Sequence, residues 1–220
     1  MWTDAAGRKI KHQNMKIFGA FARFFSTVMS PLLMPSYGVF LALWVSVMCY
    51  LPLGTRLMVT VVVFGITCIL PMVFIALLHN AKIITDKRLV NPKERWLPYI
   101  FALACYVGAA FYLRHVDSPS WLEAFMWGGV AAVTVSAVVN IWWKISAHAA
   151  GVSGLLALLL AIHNLGLEAF GLLGTICVTI LLCGCVCTSR LLLDRHNIWQ
   201  VLAGVVNGFV WVYWAIRIFA

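Results

Sequence analysis

Long apolar runs, separated by short polar connectors, occupy most of this 220-residue chain. A helix needs about 20 apolar residues to cross the hydrocarbon core of a bilayer, and helices satisfy their own backbone hydrogen bonds in lipid. The runs lie near residues 31–53, 57–79, 97–114, 119–143, 149–165, 167–188 and 198–219. The pattern therefore predicts an all-α fold, a polytopic membrane helix bundle of six or seven transmembrane helices.

Residues 15–29 show a different pattern, an apolar stripe interrupted by Lys16 and Arg23. The stripe consists of Ile17, Phe18, Phe21, Phe24, Phe25 and Val28. A short basic helix with one aromatic face is typical of a helix that lies in the membrane interface. Residues 1–30 are therefore predicted to form a basic amphipathic segment, and residues 31–220 a single transmembrane domain. Since no small-residue cleavage pattern follows the N-terminal charges, a removable signal peptide is not expected.

Composition supports a membrane location, because 63% of the residues are hydrophobic and only 10% are charged. A mean hydropathy of +0.96 lies far outside the range of ordinary soluble domains. The seven cysteines include several within the apolar runs, so free thiols are expected. Cys183, Cys185 and Cys187 would point in different directions on a helix, and they are not expected to bind a metal.

Three short polar islands interrupt the apolar chain. The first island is Asp86–Arg95, the second is Lys144–His148, and the third is Ser189–His196. Two predicted spans precede the first island, and two more separate each island from the next. All three islands should therefore emerge on the same face of the membrane, where they can form one site.

The order of basic, hydroxyl and imidazole side chains in these islands resembles the three motifs of a known family. That family is the type-2 phosphatidic acid phosphatase superfamily, which comprises lipid phosphatases and vanadium haloperoxidases, with the motifs KxxxxxxRP, PSGH and SRxxxxxHxxxD. The residues that carry the resemblance are Arg88 and Arg95, Ser146 and His148, and Ser189, Arg190 and His196. The sequence departs from the motifs at Arg88, Trp96, Ile145, Ala147 and Gln200, where the family has Lys, Pro, Pro, Gly and Asp.

The resemblance implies a metal-independent phosphomonoesterase or pyrophosphatase with a phosphohistidine intermediate and no cofactor. In such an enzyme His196 attacks phosphorus and His148 protonates the leaving oxygen, roles that suit imidazole near neutral pH. The phosphate oxygens would be held by Arg88, Arg95, Arg190 and the Ser146 hydroxyl, with Lys87 and Lys144 in support. Arg suits this task because its planar fork binds two phosphate oxygens at once.

Gln200 lies four residues after His196 and so should share a helical face with it. Its side-chain oxygen can accept an imidazole N–H, but it supplies no negative charge for a developing imidazolium. We therefore expect either a slower enzyme or a carboxylate from Asp194, Asp86 or Glu94 in that role. Small residues after the second motif should let other helices approach closely: Ala147, Ala149, Ala150, Gly151 and Gly154.

The membrane face of the islands is a separate question. Of the 16 Lys and Arg residues, only Arg56, Arg114 and Arg217 fall on the opposite face, which by the positive-inside rule favours cytoplasmic islands. Residues that bind phosphate stay basic on either side of the membrane, however, so the basic residues near the islands say little about orientation. Without them, five basic residues in the N-terminal segment remain on the face of the islands, and three remain on the opposite face. This small excess of basic residues favours the cytoplasm only weakly. The resemblance to bacterial relatives instead favours a periplasmic site in an inner-membrane protein.

The predicted function is hydrolysis of a lipid-linked phosphate or diphosphate, such as a polyprenyl diphosphate, phosphatidic acid, phosphatidylglycerol phosphate or a lipid A phosphate. The expected partners are the bilayer and its lipid substrate, with no nucleic acid. Two alternatives remain: a non-catalytic binder or transporter of anionic lipids on the same scaffold, and a bundle that uses Cys or His for metal or haem, for which no convergent ligand spacing exists.

Overall fold

The computed structural model of the chain describes residues 18–84 and 96–220, and within them the protein is a helical bundle. The helices are α1 (residues 18–28), α2 (Met34–Val45), α3 (Leu53–Phe64), α4 (Leu70–Asn80), α5 (Trp96–His115), α6 (Ser120–Val139), α7 (Ala147–Asn164), α8 (Leu173–Leu192) and α9 (Ile198–Phe219). An isolated β-bridge joins Ser46 to Glu168, and the described residues form no β-sheet.

Six helical segments in the described residues are long and apolar enough to cross a membrane. They are Leu53–Asn80, which combines α3 and α4, and the five helices from α5 to α9. The predicted all-α, multi-pass membrane architecture is therefore confirmed. α7 is the central helix, because 61% of its apolar window is buried, against 39% or less in the other five segments.

The first predicted stretch, 31–53, is the one that is not a full-length spanning helix. Its helix α2 has 12 residues, about 18 Å at the α-helical rise. α2 ends because the Ser46 hydroxyl donates to the carbonyl of Ala42 at 2.6 Å and accepts from the backbone N–H of Met48, which starts a 3₁₀ turn.

The α2 segment nevertheless extends along the whole of α7. At one end, Met34 lies against Gly151, near the start of α7. At the other end, the Val47 N–H donates to the carbonyl of Leu167, beyond the last residue of α7, at 2.8 Å. α2 and its flanking turns therefore run parallel to α7 across the bundle, although α2 is too short to qualify as a span.

The long span from α3 to α4 contains a π-helical segment, Gly65–Ile69, which ends two residues before Pro71. Proline has no backbone N–H, and its ring clashes with the carbonyl four residues earlier. A wider π turn is one way in which a helix accommodates such an interruption without ending. The two helices therefore continue as one 28-residue segment.

Glycines bring α7 and α9 into close contact. A Cβ at Gly204 would collide with the carbonyl oxygen of Ser146, and one at Gly208 with the carbonyl oxygen of Ala150. The spacing of these glycines is the GxxxG pattern, which lets two membrane helices pack backbone to backbone. The close approach expected for the small residues of α7 is confirmed at Ala150, and the two helices run parallel with their N-termini side by side.

α6 packs against the other side of α9 and is tied to it by a buried amide. The Asn207 Nδ2 donates to the Ala132 carbonyl at 2.9 Å and to the Ser136 hydroxyl at 3.0 Å. Gly128 lies against the Val212 backbone. Hydrogen bonds of this kind join helices where water is absent, so α9 is held between α6 and α7.

α1 confirms the predicted N-terminal helix over residues 18–28. Phe18, Phe21 and Phe24 are 59%, 53% and 61% exposed, so this aromatic face does not pack on the rest of the described protein. Ala22 on the other face is fully buried, and the Tyr37 hydroxyl donates to the Val28 carbonyl at 3.1 Å. α1 therefore lies on the bundle with its aromatic stripe facing outward.

Candidate functional site

The second and third islands meet at the end of the bundle where α7 and α9 begin, which we call the site end. The Ser146 N–H donates to the Gln200 carbonyl at 3.1 Å. The Lys144 amine donates to the carbonyl of Arg195, the residue before His196, at 2.7 Å. The chain segments that carry His148 and His196 are thus joined directly, as the count of spans predicts.

Three predicted site residues, Lys87, Arg88 and Arg95, lie outside the described residues. The helices on either side of that gap do end and begin at the site end. The rings of Phe74 in α4 and Phe101 in α5 are stacked, with their centroids 3.9 Å apart. Tyr99 of α5 lines a cavity together with Ala147 of α7. The participation of the first island in the site stays a prediction.

His196 is held by the cap of α9. Asn197 is the N-cap residue: its side chain accepts from the Gln200 N–H at 2.9 Å, and its own N–H donates to Gln200 Oε1 at 3.3 Å. Gln200 Oε1 lies 3.2 Å from His196 Nδ1. The contact expected from the spacing is present, but for another reason: His196 precedes α9, and a capping box brings the two side chains together.

This arrangement decides which nitrogen of His196 carries the proton. Because the Asn197 N–H can only donate, the Gln200 atom that faces it must be the oxygen. His196 Nδ1 faces the same oxygen and must therefore donate as well. In a neutral imidazole the other nitrogen, Nε2, then carries a lone pair, which is the form that a nucleophile or base requires.

His148, in the first turn of α7, has the opposite arrangement. Its Nε2 donates to the backbone carbonyl of Ser26 in α1 at 3.1 Å. A carbonyl oxygen only accepts, so Nε2 is the protonated nitrogen of His148. The Ser26 hydroxyl oxygen lies 3.5 Å from the same atom. The two histidines therefore present different groups, an N–H from His148 and a lone pair from His196.

Arg190 extends from the last turn of α8 into the site rather than toward the outside of the bundle. Its Nη1 donates to the Ser26 hydroxyl at 2.7 Å. Its Nε is buried and has no hydrogen-bond partner among the described residues, where it also forms no salt bridge. A buried guanidinium with an unused donor is typical of a site for an anion.

Among the described residues the site carries positive charge: the Arg190 guanidinium acts on the His148 ring, and the charge of Arg195 acts on Arg190. α7 and α9 also direct the positive ends of their dipoles to this point, because both begin there. Asp194 is exposed, and the salt bridges of the described residues do not include it. Asp86 and Glu94 lie outside the described residues.

Ser146 is the N-cap residue of α7. Its hydroxyl oxygen accepts from the Ala149 N–H at 3.4 Å, and the residue is fully buried. The observed role of this side chain is therefore to start the helix that carries His148. Its predicted contact with a phosphate oxygen stays a prediction.

An apolar cavity of about 70 Å³ adjoins the site. It lies between α5, α6, α7 and the segment that joins α1 to α2, with a lining that includes Pro31, Met34, Tyr99, Tyr106, Ser136 and Ala147. Ala147 is the residue between Ser146 and His148. The cavity therefore lies beside the first turn of α7, which carries His148.

Two residues at the site were not predicted from the sequence, Ser26 and Asn197. Asn197 carries a usable signal, since Asn before an apolar run with Gln three residues later is a capping box. Ser26 has only a weak one: it is a polar residue in a helix with an aromatic stripe. Contacts between residues 122 positions apart are not encoded by local spacing.

Comparison with known protein families, with curated proteins and with solved structures finds no match for this chain. All seven cysteines lie in the described part of the chain as free thiols. Within that same part, no group of three or more His, Cys, Asp or Glu side chains is placed to hold a metal ion.

Proposed function

We propose that this membrane protein is a lipid phosphatase that removes phosphate from a lipid-linked phosphate or diphosphate, through a phosphohistidine. The observation that carries the proposal is that His148 is protonated at Nε2 and His196 at Nδ1, beside Arg190, whose buried Nε has no hydrogen-bond partner among the described residues. A metal-independent phosphatase needs these three groups: a nucleophile, a proton donor, and a cation for the phosphate oxygens.

The mechanism follows from the atoms that each residue presents. The His196 Nε2 lone pair attacks phosphorus while the bond from phosphorus to the lipid oxygen breaks. The leaving oxygen takes the Nε2 proton of His148, which becomes an imidazolium when the negatively charged phosphate of the substrate binds beside it. Arg190 pairs with non-bridging oxygens through Nη1 and Nε, together with Arg88 and Arg95 of the first island. Gln200 holds the Nδ1 proton of His196, so that Nε2 stays directed at phosphorus.

Hydrolysis of the phosphohistidine completes the cycle. A water molecule attacks phosphorus and gives a proton to the Nε2 of His148, which is neutral after the first step. The bond between phosphorus and His196 then breaks, inorganic phosphate leaves, and both rings return to their starting states. Positioning and positive charge supply most of the rate in phosphoryl transfer, and this site provides both.

The adjoining cavity favours a lipid over a soluble phosphate ester, since its lining is apolar and it reaches Ala147. The candidate substrates are polyprenyl diphosphates, phosphatidic acid, phosphatidylglycerol phosphate and lipid A phosphates. We place the protein in an inner membrane with the site on the periplasmic face, on the strength of the resemblance to bacterial lipid phosphatases.

The proposal is tested by phosphate release from these lipids in detergent micelles. His196→Ala and His148→Ala should each lower kcat by about 10²-fold to 10⁴-fold, the usual contribution of such groups. His115→Ala is the matched control, because His115 is exposed at the opposite end of the bundle. If no lipid releases phosphate, the protein is a binder rather than an enzyme. If His196→Ala releases as much as the parent, the proposed phosphohistidine mechanism is wrong.

A further inference from the structure

Ser26 contacts both of the donors that form the proposed phosphate site. Its hydroxyl oxygen accepts from Arg190 at 2.7 Å, and its backbone carbonyl accepts from His148 Nε2 at 3.1 Å. These are the two donors that the proposed reaction needs for a phosphate oxygen and for the leaving oxygen. In this structure both donors are taken by one residue of α1.

The two arrangements exclude each other. His148 Nε2 has one hydrogen, which cannot serve the Ser26 carbonyl and the leaving oxygen of a substrate together. We propose that α1 is a gate over the phosphate site, in which Ser26 takes the place of a phosphate oxygen until a phosphate monoester or free phosphate displaces it. The inference rests on the proposed function, because it assigns the same site.

The chemistry of the competition favours displacement by an oxyanion. The Ser26 hydroxyl is a neutral acceptor and engages one N–H of Arg190, while no described residue accepts a hydrogen bond from the Nε of Arg190. A phosphate oxyanion forms stronger, charge-assisted bonds and can engage two donors of one guanidinium. Neutral groups lack this advantage, so the gate should open for phosphates and stay closed to uncharged lipids.

The position of α1 also suits a gate. Beyond residue 28 the chain forms a turn that contains Pro31, before α2 begins. Pro31 lines the apolar cavity, and its carbonyl accepts from the Tyr106 hydroxyl at 3.2 Å. A shift of α1 about this turn would free His148 and Arg190 and would alter one wall of the cavity. The exposed Phe18, Phe21 and Phe24 would keep the displaced helix at the membrane interface.

The first test measures affinity rather than turnover, by calorimetric titration of inorganic phosphate into the detergent-solubilised full chain. Ser26→Ala should tighten phosphate binding by about fivefold, because Arg190 loses a competing acceptor. Thr27→Ala is the matched control, since the Thr27 hydroxyl is exposed and donates to the Arg23 carbonyl within α1. Weaker or unchanged binding in Ser26→Ala, with Thr27→Ala equal to the parent, overturns the gate.

The second test measures the movement directly. In Ser26→Cys, alkylation at residue 26 by iodoacetamide is quantified by mass spectrometry, which separates it from the native thiols. The rate should rise severalfold with inorganic phosphate, or in phosphatidylcholine nanodiscs that carry a non-hydrolysable phosphonate lipid. Opening by the lipid phosphonate alone assigns the headgroup as the ligand, and opening by phosphate alone assigns the free anion. An unchanged or slower rate with both, while both bind, overturns the proposal.

Arg190→Ala separates failure of the gate from failure of the site. If Arg190→Ala abolishes phosphate binding but Ser26 substitutions change neither affinity nor labelling, the phosphate site stands and the gate is wrong. If phosphate and the phosphonate lipid bind the parent and Arg190→Ala equally, the proposed site itself is wrong, and the gate fails with it.

Discussion

The two histidines of the site have different neighbours, and these neighbours set their chemistry. His196 faces a side-chain oxygen whose orientation is fixed by the Asn197 N–H, whereas His148 faces a backbone carbonyl. Each acceptor forces a proton onto the ring nitrogen that it contacts. At the scale of single residues, the difference between the proposed nucleophile and the proposed acid therefore comes from the acceptors that the two rings face, and not from the histidines themselves.

Gln200→Glu should raise kcat several-fold, up to about tenfold, a change that corresponds to 1.36 kcal/mol. Glu has the length of Gln, so it can keep the contacts to Asn197 and His196 that a shorter Asp would lose. Its charge would stabilise the imidazolium that develops at His196, and it lies in the favourable first turn of α9. The measurement is phosphate release under saturating substrate.

Asp194→Asn serves as the control for this charge change. Asp194 is the nearest carboxylate in the sequence, but its side chain is exposed, so its neutralisation should leave kcat unchanged. A marked loss in Asp194→Asn would show that Asp194, rather than residue 200, supplies the charge to His196.

At the scale of helices, the contact between α7 and α9 positions the site. The helices start side by side because Gly204 and Gly208 let the backbones touch, and the Ser146 N–H is within hydrogen-bond distance of the Gln200 carbonyl. His148 follows Ser146 by two residues, and His196 precedes Gln200 by four. Any change in the separation of these helices would move one histidine relative to the other.

Gly208→Ala should destabilise the protein by about 1–3 kcal/mol, the usual cost of adding a methyl group to a tight core. The new Cβ would collide with the Ala150 carbonyl oxygen and approach the Ser153 hydroxyl oxygen to 2.6 Å. Thermal unfolding in detergent should show a lower Tm, and phosphate release should fall as well.

Gly184→Ala is the matched control on α8, because an added Cβ there would have no atom of the described residues within 4 Å. The better helix propensity of Ala should leave its Tm equal to that of the parent or slightly higher. If Gly208→Ala behaves like Gly184→Ala, close packing of α7 on α9 does not support the site.

At the scale of the whole molecule, successive spans run in opposite directions, so the second and third islands both lie at the site end. The loops after α5 and α7 lie at the opposite end, where His163 Nδ1 lies 2.9 Å from Glu168 Oε2. This alternation makes a definite prediction about labelling by a membrane-impermeant thiol reagent in intact cells.

Asn80→Cys and Asp194→Cys should be labelled from one side of the membrane, and Ser120→Cys and Gly171→Cys from the other. All four positions are exposed. Labelling above that of the parent at residues 80 and 194 in intact cells is expected, because we propose a periplasmic site. Labelling of residues 120 and 171 instead would place the site in the cytoplasm, and labelling of residues 80 and 194 from different sides would contradict the topology.

Much of the architecture could be predicted from the sequence, because the length of an apolar run is a local property and it determines whether a helix can cross a bilayer. The prediction failed in detail at residues 31–53, where composition is apolar but Ser46 ends α2 early through its side-chain hydrogen bonds. It succeeded for the shared face of the second and third islands, since counting spans requires no knowledge of how helices pack.

By itself the sequence determined a multi-pass helical membrane protein, an amphipathic N-terminal helix, and the joining of two islands that contain His148 and His196. Only the tertiary structure decided the proton positions on these rings, the inward direction of Arg190, and the presence of Ser26 between Arg190 and His148. The physical reason is the distance along the chain over which each effect acts: hydrophobic patterns and helix caps involve residues that are close together in the sequence. The contacts of Ser26 join groups 122 and 164 residues apart, which only packing brings together.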